Sequence, residues 1–359
     1  MPRLTIGLPL RNSSRDLRQA LDSVRTQTFT DWVLLALDDA STDDTAAIVR
    51  SYAEQDDRIR LLQFGPDPVP QAANWNRVIE LADTEYVSMF GHDDIMMPEL
   101  LAREIHLLDT HPEMAMAFAQ GPLINDNGDL LRSPRGNPIM QPAWPEDRVL
   151  PPLTLGPQLI CEGFVHPSSV MLRTKIAQSI PLFPDMPLYL DIDYWSRVGD
   201  CGSVGYVAGD LLRYRVRSNG AYTRSMQAGL NLTDAHKLFD RMMAHWNWDT
   251  NRQAAFKQEF YRAHAARALR AAEIARDASD TATVRLQLAI CLSLAQTASS
   301  NPHEWIARWL NLTVFKKRFS SPRRLSLLTS LCSLPIVKGV IYRHYADELP
   351  PRLAQHGSA

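Results

Sequence analysis

The chain of 359 residues has only four cysteines, and Cys161, Cys201, Cys291 and Cys332 lie far apart. With no C-x-x-C step, neither a zinc knuckle nor a disulfide framework is expected, and the spacing fits a reducing compartment. No stretch reaches the roughly 18 uninterrupted apolar residues that a membrane span needs. The opening Met1-Pro2-Arg3-Leu4-Thr5-Ile6-Gly7 runs straight into a strand-like segment, so no signal peptide is expected. Neither sign of charge dominates: 38 Lys+Arg face 40 Asp+Glu, a net −2. A dedicated nucleic-acid binder would carry a basic excess, so no nucleic-acid partner is expected. Internal repeats and low-complexity tracts are absent too. What remains, 45% hydrophobic and 22% charged, is the composition of a globular protein. Its length allows about two domains, and a cytoplasmic location is the expectation.

The small net charge is a cancellation. Residues 1–224 hold 20 Lys+Arg against 30 Asp+Glu, and residues 225–359 hold 18 against 10. Opposite balances in the two parts suggest two tasks.

Strand and helix signals alternate through the first 120 residues. Leu4–Pro9, Trp32–Asp38, Ile59–Phe64, Tyr86–Phe90 and Met114–Gln120 are short apolar runs of strand length. Between them, Arg15–Gln27, Asp43–Gln55, Gln71–Ala82 and Pro98–Asp109 carry the helical period, as in Leu17, Ala20, Leu21 and Val24. Ser13 or Ser14 is available to cap the first helix, and Ser41, Thr42 or Asp43 the second. Pro98 suits a first helical position. Regular alternation predicts a mainly parallel α/β sheet with helices on both faces, whose ligands gather at the carboxyl ends of the strands. Asn125-Asp126-Asn127-Gly128-Asp129 reads as a hairpin tip, and the proline-rich Pro134–Pro157 as a long loop. Strand signals return at Ser168–Leu172 and Val204–Val207 around a helix near Ile192–Val198. Beyond Ser225 the chain reads as almost purely helical. The predicted division is an α/β domain over 1–224, in halves 1–120 and 121–224, and a helical region over 225–359.

Three acidic clusters fall where strands end or helices open: Asp38-Asp39, then His92-Asp93-Asp94 after Gly91, then Asp191-Ile192-Asp193. Any one alone reads as a solvated loop or a helix cap. Three at the carboxyl edge of one sheet repel one another unless a cation or a proton-transfer role relieves them, and a divalent metal holding a phosphate is the natural relief.

In this order and spacing, these residues resemble the family 2 glycosyltransferases, inverting enzymes with the GT-A, Rossmann-like nucleotide-sugar fold. The resemblance is carried by Ile6-Gly7-Leu8-Pro9-Leu10-Arg11-Asn12, Thr26-Gln27-Thr28-Phe29, Leu37-Asp38-Asp39, Asn74–Ala82, His92-Asp93-Asp94 and Asp191–Arg197, and spans about residues 3–220. It implies that Asp39, with Asp38 beside it, reads the nucleobase, most often uracil, in a pocket lined by Pro9, Leu10 and Arg11. Asn76, His92 and Arg217 are placed with the donor on the same basis. The resemblance makes Asp93 the ligand of Mn²⁺ or Mg²⁺ on the diphosphate, and Asp191 the general base toward an acceptor hydroxyl. Three positions depart from the family pattern: Gly91 stands where its metal motif has a first Asp, Arg11 where it commonly has Tyr, and Arg217 where its late pattern has His. Arg217 then reads either as a phosphate clamp or as a surface arginine. His166, Tyr194 and Trp195 read as structural.

Between Trp305 and Arg343 eight Lys/Arg and no Asp or Glu interleave with aromatic and aliphatic residues. Such a stretch suits the headgroups of an anionic membrane, or packing on the catalytic domain or on a second copy in a homo-oligomer. The implied function is sugar transfer from a nucleotide donor, such as a UDP-sugar, to a saccharide or lipid-linked acceptor in surface polysaccharide or glycolipid assembly. Rival readings are a sugar-nucleotide nucleotidyltransferase, disfavoured because Leu8–Ser14 holds no glycine, and a catalytically degenerate binding protein.

Overall fold

The computed structural model describes residues 2–132, 144–162, 165–182, 186–217, 220–277 and 280–298. The chain divides into two compact units, residues 1–220 and 221–359.

The first unit opens with a strand–helix alternation: β1 (Leu4–Leu10), α1 (Leu17–Arg25), β2 (Trp32–Asp39), α2 (Thr45–Ala53), β3 (Ile59–Phe64), α3 (Gln71–Leu81) and β4 (Tyr86–Met89). It continues with β5 (Ile95–Met96), α4 (Leu100–Thr110), β6 (Met114–Ala119), β7 (Leu123–Ile124), β8 (Arg148–Leu150) and α5 (Leu155–Glu162). A 3-10 turn, Pro167–Ser169, leads to β9 (Val170–Arg173), α6 (Thr174–Ser179), α7 (Leu190–Gly199), β10 (Ser203–Val207) and β11 (Leu212–Arg215). Eight strands form one sheet in the order β3-β2-β1-β4-β9-β6-β10-β8, and β5-β11-β7 form a second, small sheet. In the large sheet β9 runs antiparallel to β4 and β6, and β8 antiparallel to β10, while the other neighbours are parallel.

The two faces of β1 show why this sequence makes a layered sheet. Leu4, Ile6, Leu8 and Leu10 point to one face and join a core with Leu17, Leu21 and Val24 of α1, Val49 of α2, and Leu101, Ile105 and Leu108 of α4. The opposite face at Gly7 receives Val78 of α3, and a Cβ at position 7 would lie 2.0 Å from Val78 Cγ1. Glycine is required there by close helix–strand approach.

Element boundaries follow the predicted alternation to within a few residues, with three corrections. Pro134–Pro157 is not one long loop: β8 lies within it as a short edge strand and α5 begins in it. Exposed Arg148 and Val149 carry no alternation to announce that strand. Residues 133–143 lie outside the described set. Neither Ser13 nor Ser14 caps α1, which follows Asp16 without a side-chain cap. Pro98 precedes the helix it was expected to open, since α4 starts at Leu100 behind Glu99. The hairpin at Asn125–Asp129 is as predicted, with Gly128 at φ 90° and Asn125 Oδ1 accepting from the Asn127 and Asp129 amides.

The second unit is helical throughout its described residues: α8 (Ala221–Gln227), α9 (Leu230–Trp246), α10 (Thr250–Asp277) and α11 (Thr281–Ala298). Asn247 closes α9 in the left-handed region, its amide donating to Met243 O. Buried Asn231 and Gln287 exchange two amide hydrogen bonds of 2.8 and 3.2 Å between α9 and α11. Among the described residues no helix is long and apolar enough to cross a membrane. The basic aromatic stretch 305–343 lies outside the described residues.

Candidate functional site

The turns after β1 and β2 are laced together by short polar side chains. Asn12 and Ala40 take left-handed backbone angles, φ 51° and 56°, which bend both chains sharply at the carboxyl edge. Asn12 Oδ1 accepts from the Thr42 amide (2.8 Å), Ser41 Oγ from the Asn12 amide (2.9 Å) and Thr45 Oγ1 from the Ser13 amide (2.8 Å). Asp43 takes bonds from the Ser14 amide and from Thr45. Burial pushes its pKa up, but the bonds from Thr45 and Ser14 outweigh that and hold it at about 2. The loop is thereby fixed before any ligand arrives.

Within this frame Asp38 and Asp39 diverge. Asp38 Oδ1 accepts from the Ser41 amide and Oδ2 from Gln63 Nε2, both at 3.2 Å, so it holds the turn. Asp39 Oδ2 accepts from the Val69 amide at 3.0 Å, and Oδ1 meets Arg77 NH1 at a long 3.4 Å. The Arg77 guanidinium lies 4.3 Å over the Phe64 ring. A carboxylate, a guanidinium plane and an aromatic ring therefore meet at the end of β2, a combination suited to the edge and face of a heterocycle. Pro9 is half-buried, Leu10 buried and Arg11 exposed at the end of neighbouring β1.

Asp93 and Asp94 follow β4, the other neighbour of β1, and they diverge as well. Asp94 is buried; it accepts from Ser168 Oγ at 2.5 Å and from the Arg215 amide at 2.8 Å. Burial, then the charge of Asp93, lifts its pKa to about 7 against those two bonds. Ser168 Oγ accepts in turn from the Gly91 amide at 2.9 Å, tying β4, the 3-10 turn and β11 into one knot. Asp93 stands beside Arg217: Oδ2 accepts from Arg217 Nε at 3.0 Å. The same guanidinium donates to Asp126 Oδ1 at 3.2 Å and to Asp16 Oδ2. Beneath it the Arg215 side chain, 1% exposed, donates to Asp93 O, Asn125 O and Gln19 Oε1. Burial lowers the pKa of half-buried His92 against the charge of Asp93 and keeps the ring neutral near pH 7.

The third acidic pair sits in the first turn of α7. The helix runs back to the start of β10, where Ser203 pairs with Met114 at the start of β6. Ten residues rise about 15 Å, so the N-terminus of α7 carries Asp191 toward the carboxyl edge of the sheet. Asp191 is half-buried and its Oδ1 accepts from the Ile192 amide at 2.8 Å. Asp193 is buried and pairs with Arg197, whose NH2 lies 2.6 Å from Oδ2 and also donates to Pro181 O. Tyr194 and Trp195 are buried in the core, as expected.

Two sequence expectations find other surroundings. The Asn76 carboxamide bonds both ways with the Leu182 backbone, at 3.2 and 3.4 Å, and so braces the segment leading to α7 rather than facing a donor. Arg217 is no surface arginine, being caged by three carboxylates. The sequence assigns no site role to Asp16, Asp126, Arg215 or Ser168. The signal for Arg215 was present, because Tyr214-Arg215-Val216-Arg217 alternates at strand period and puts both arginines on one side.

Among the described residues no group of three or more His, Cys, Asp or Glu is arranged to hold a metal ion. The side chains around Asp93 do not suit a divalent cation: Asp94 is engaged by Ser168 and Arg215, and a guanidinium sits against Asp93. At Gly91 a Cβ would lie 2.8 Å from Asp94 Oδ2 and 3.0 Å from Ser168 Oγ, so a side chain added there would have to shift the Asp94 carboxylate.

Residues 5–164 match the family model described as Glycosyl transferase family 2. A protein of Bacillus subtilis, EpsE, which bears a provisional glycosyltransferase name, is 29% identical over 220 residues, 61% of this chain and 74% of its own. An uncharacterised protein of Sinorhizobium fredii is 29% identical over 149 residues, 41% of this chain, and the match spans only 16% of its length. The O-antigen biosynthesis protein RfbC of Myxococcus xanthus is 27% identical over 233 residues, 64% of this chain and 17% of its own. Among solved structures, residues 1–349 of S. aureus TarS superpose with a TM-score of 0.60 at 14% identity, covering 96% of this chain and 91% of that one. The same protein in complex with UDP-GlcNAc gives 0.58. These likenesses show the GT-A fold.

Proposed function

We propose that residues 5–164, which match the Glycosyl transferase family 2 model, form a glycosyltransferase domain and that the chain is an inverting enzyme using a nucleoside diphosphate sugar. The observation that carries the reading is that Asp39 ends β2 and Asp93 lies in the turn after β4, the two strands that flank β1. Strands two apart in a sheet stand roughly 10 Å from one another, a gap that a ribose diphosphate bridges. Asp39, Arg77 and Phe64 then receive the base, a carboxylate oxygen accepting from the N3–H that uracil has and neutral cytosine lacks. Pro9 and Arg11 border the same end.

The diphosphate falls toward Asp93, His92 and Arg217. The resemblance puts Mn²⁺ or Mg²⁺ there, to screen the charge that develops on the departing nucleoside diphosphate; the side chains at Asp93 do not suit it, and no step here depends on it. Asp191 takes the proton of an acceptor hydroxyl as that oxygen attacks the anomeric carbon from the face opposite the leaving group. One bond forms and one breaks, and configuration inverts.

Surface polysaccharide or glycolipid assembly is the proposed setting, with a saccharide or lipid-linked acceptor, supported by the name borne by the Myxococcus relative. A peripheral position on the inner face of the plasma membrane, through the basic stretch 305–343, belongs to the same proposal.

A thermal-shift panel of UDP, GDP and dTDP tests the donor. A ligand present at 100 times its Kd stabilises by about 2.7 kcal/mol, so UDP should raise Tm by several degrees in the wild type and by much less in Asp39→Asn. No shift with any nucleotide would remove the proposal.

A further inference from the structure

We infer that Arg217 occupies the place of the divalent cation at Asp93, so that the donor diphosphate meets a guanidinium built into the chain. This rests on the donor reading above. Three independent features of the cluster lead to it.

The first is the contact itself. Arg217 reaches Asp93 Oδ2 through Nε at 3.0 Å, Asp126 Oδ1 through NH1 at 3.2 Å and Asp16 Oδ2 through NH2. Three carboxylates from the β4 turn, the hairpin after β7 and the start of α1 thus converge on one cation. A metal seated on Asp93 would first have to drive that cation out.

The second is the shortage of ligands. At Gly91 a Cβ would lie 2.8 Å from Asp94 Oδ2 and 3.0 Å from Ser168 Oγ, so a larger residue there would shift the Asp94 carboxylate. Asp94 itself turns away from Asp93 to Ser168 and the Arg215 amide. A hard divalent ion needs several oxygen ligands, and the carboxylates near Asp93, those of Asp16 and Asp126, are already engaged by Arg217.

Charge is the third. Asp16, Asp93 and Asp126 face Arg15, Arg215 and Arg217 within ion-pair or hydrogen-bond distance. Three guanidinium groups thus match these three carboxylates, with buried Asp94 beside them as a fourth acid. Arg215 is 1% exposed and bonded to backbone and to Gln19, so it props the cluster from below. Arg217 is 17% exposed and is the arginine of the buried pair that reaches solvent. Guanidinium groups bind phosphate through charge-assisted, often bidentate bonds. The Arg217 charge, together with that of Arg215, is then what offsets the departing diphosphate.

Calorimetric titration of the full chain with UDP and GDP, in EDTA and again in Mn²⁺, tests this, with uridine and guanosine as controls. The expected result is a nucleoside diphosphate Kd that changes by less than about threefold between the two conditions, well under the tenfold that 1.4 kcal/mol represents. Arg217→Ala should weaken that binding about tenfold or more in EDTA and leave the nucleoside control unchanged, as loss of one charge-assisted contact implies. Arg217→His, which vacates the cation place and supplies a ligand, should bind in Mn²⁺ more tightly than in EDTA. Wild-type binding that appears only with Mn²⁺ would overturn the inference and leave the donor reading standing. Absence of binding by either nucleotide in both conditions would overturn both. The wild-type comparison needs no variant to fold.

Discussion

The turn after β2 and the turn after β4 each carry two adjacent aspartates, and each pair divides its work between fold and crevice. Asp38 is bonded to Ser41 and Gln63 and holds its turn; Asp94 is bonded to Ser168 and Arg215 and holds the other. Their neighbours Asp39 and Asp93 meet arginines instead. The counter-charges differ in kind: Arg77 approaches Asp39 at 3.4 Å while lying over Phe64, whereas Arg217 is gripped by three acids. The first arrangement sets a buried carboxylate, bonded to the Val69 amide and Arg77, beside two flat surfaces that could receive a base. The second holds a guanidinium, 17% exposed, where a phosphate could accept from it. Asp191 and Asp193 repeat the division on α7, with Asp193 bound to Arg197.

This comparison can be broken at several strengths. Asp191→Asn should cut turnover of a UDP-sugar by about 10³-fold, within the usual range for a general base, with UDP affinity and Tm unchanged. Asp193→Ala strands the buried Arg197 and should lower unfolding stability by about 3–5 kcal/mol in denaturant titration. Asp94→Ala leaves the Arg215 amide and Ser168 without their acceptor and should cost about 2–3 kcal/mol. Asp93→Ala, at a partly exposed pair, should cost about 1 kcal/mol or less. Equal losses at 93 and 94 would dissolve the distinction between them. Asp39→Asn should weaken UDP about tenfold while leaving stability near the wild-type value, as loss of one charged acceptor predicts.

The smallest effect comes from an acid that has neither task. Glu104 is buried in α4, and its Oε1 has no hydrogen-bond partner among the described residues. Burial raises its pKa well above the ordinary value. Between its unfolded and folded pKa values the native state binds the extra proton, so this group's contribution to stability falls as pH rises. Glu104→Met should therefore stabilise by about 1 kcal/mol or more at pH 8 and by less at pH 5. A gain that does not grow with pH would place another charge beside Glu104.

The layered sheet was legible because β-α alternation is written in short-range periodicity: Leu17, Ala20, Leu21 and Val24 lie on one helix face, and all four are buried. The strand-end acids were legible for the same reason, since a strand's end is local. Which member of each pair serves the fold was not. That depends on Ser168 meeting Asp94 across 74 residues and on Arg217 meeting Asp93 across 124, contacts that no local spacing encodes. Asp16 and Asp126 stayed hidden because each looked like an ordinary turn or helix-start acid. Asn76 misled because its place within a recognisable helix says nothing of the Leu182 backbone that takes up its amide.

A crystal structure of the full chain with UDP tests the central claim most directly. The account predicts uracil with its imide edge on Asp39 near Arg77 and Phe64, and the diphosphate lying across the end of β1 against Arg217. Nucleotide bound elsewhere in the molecule, or uracil turned away from Asp39, would contradict it.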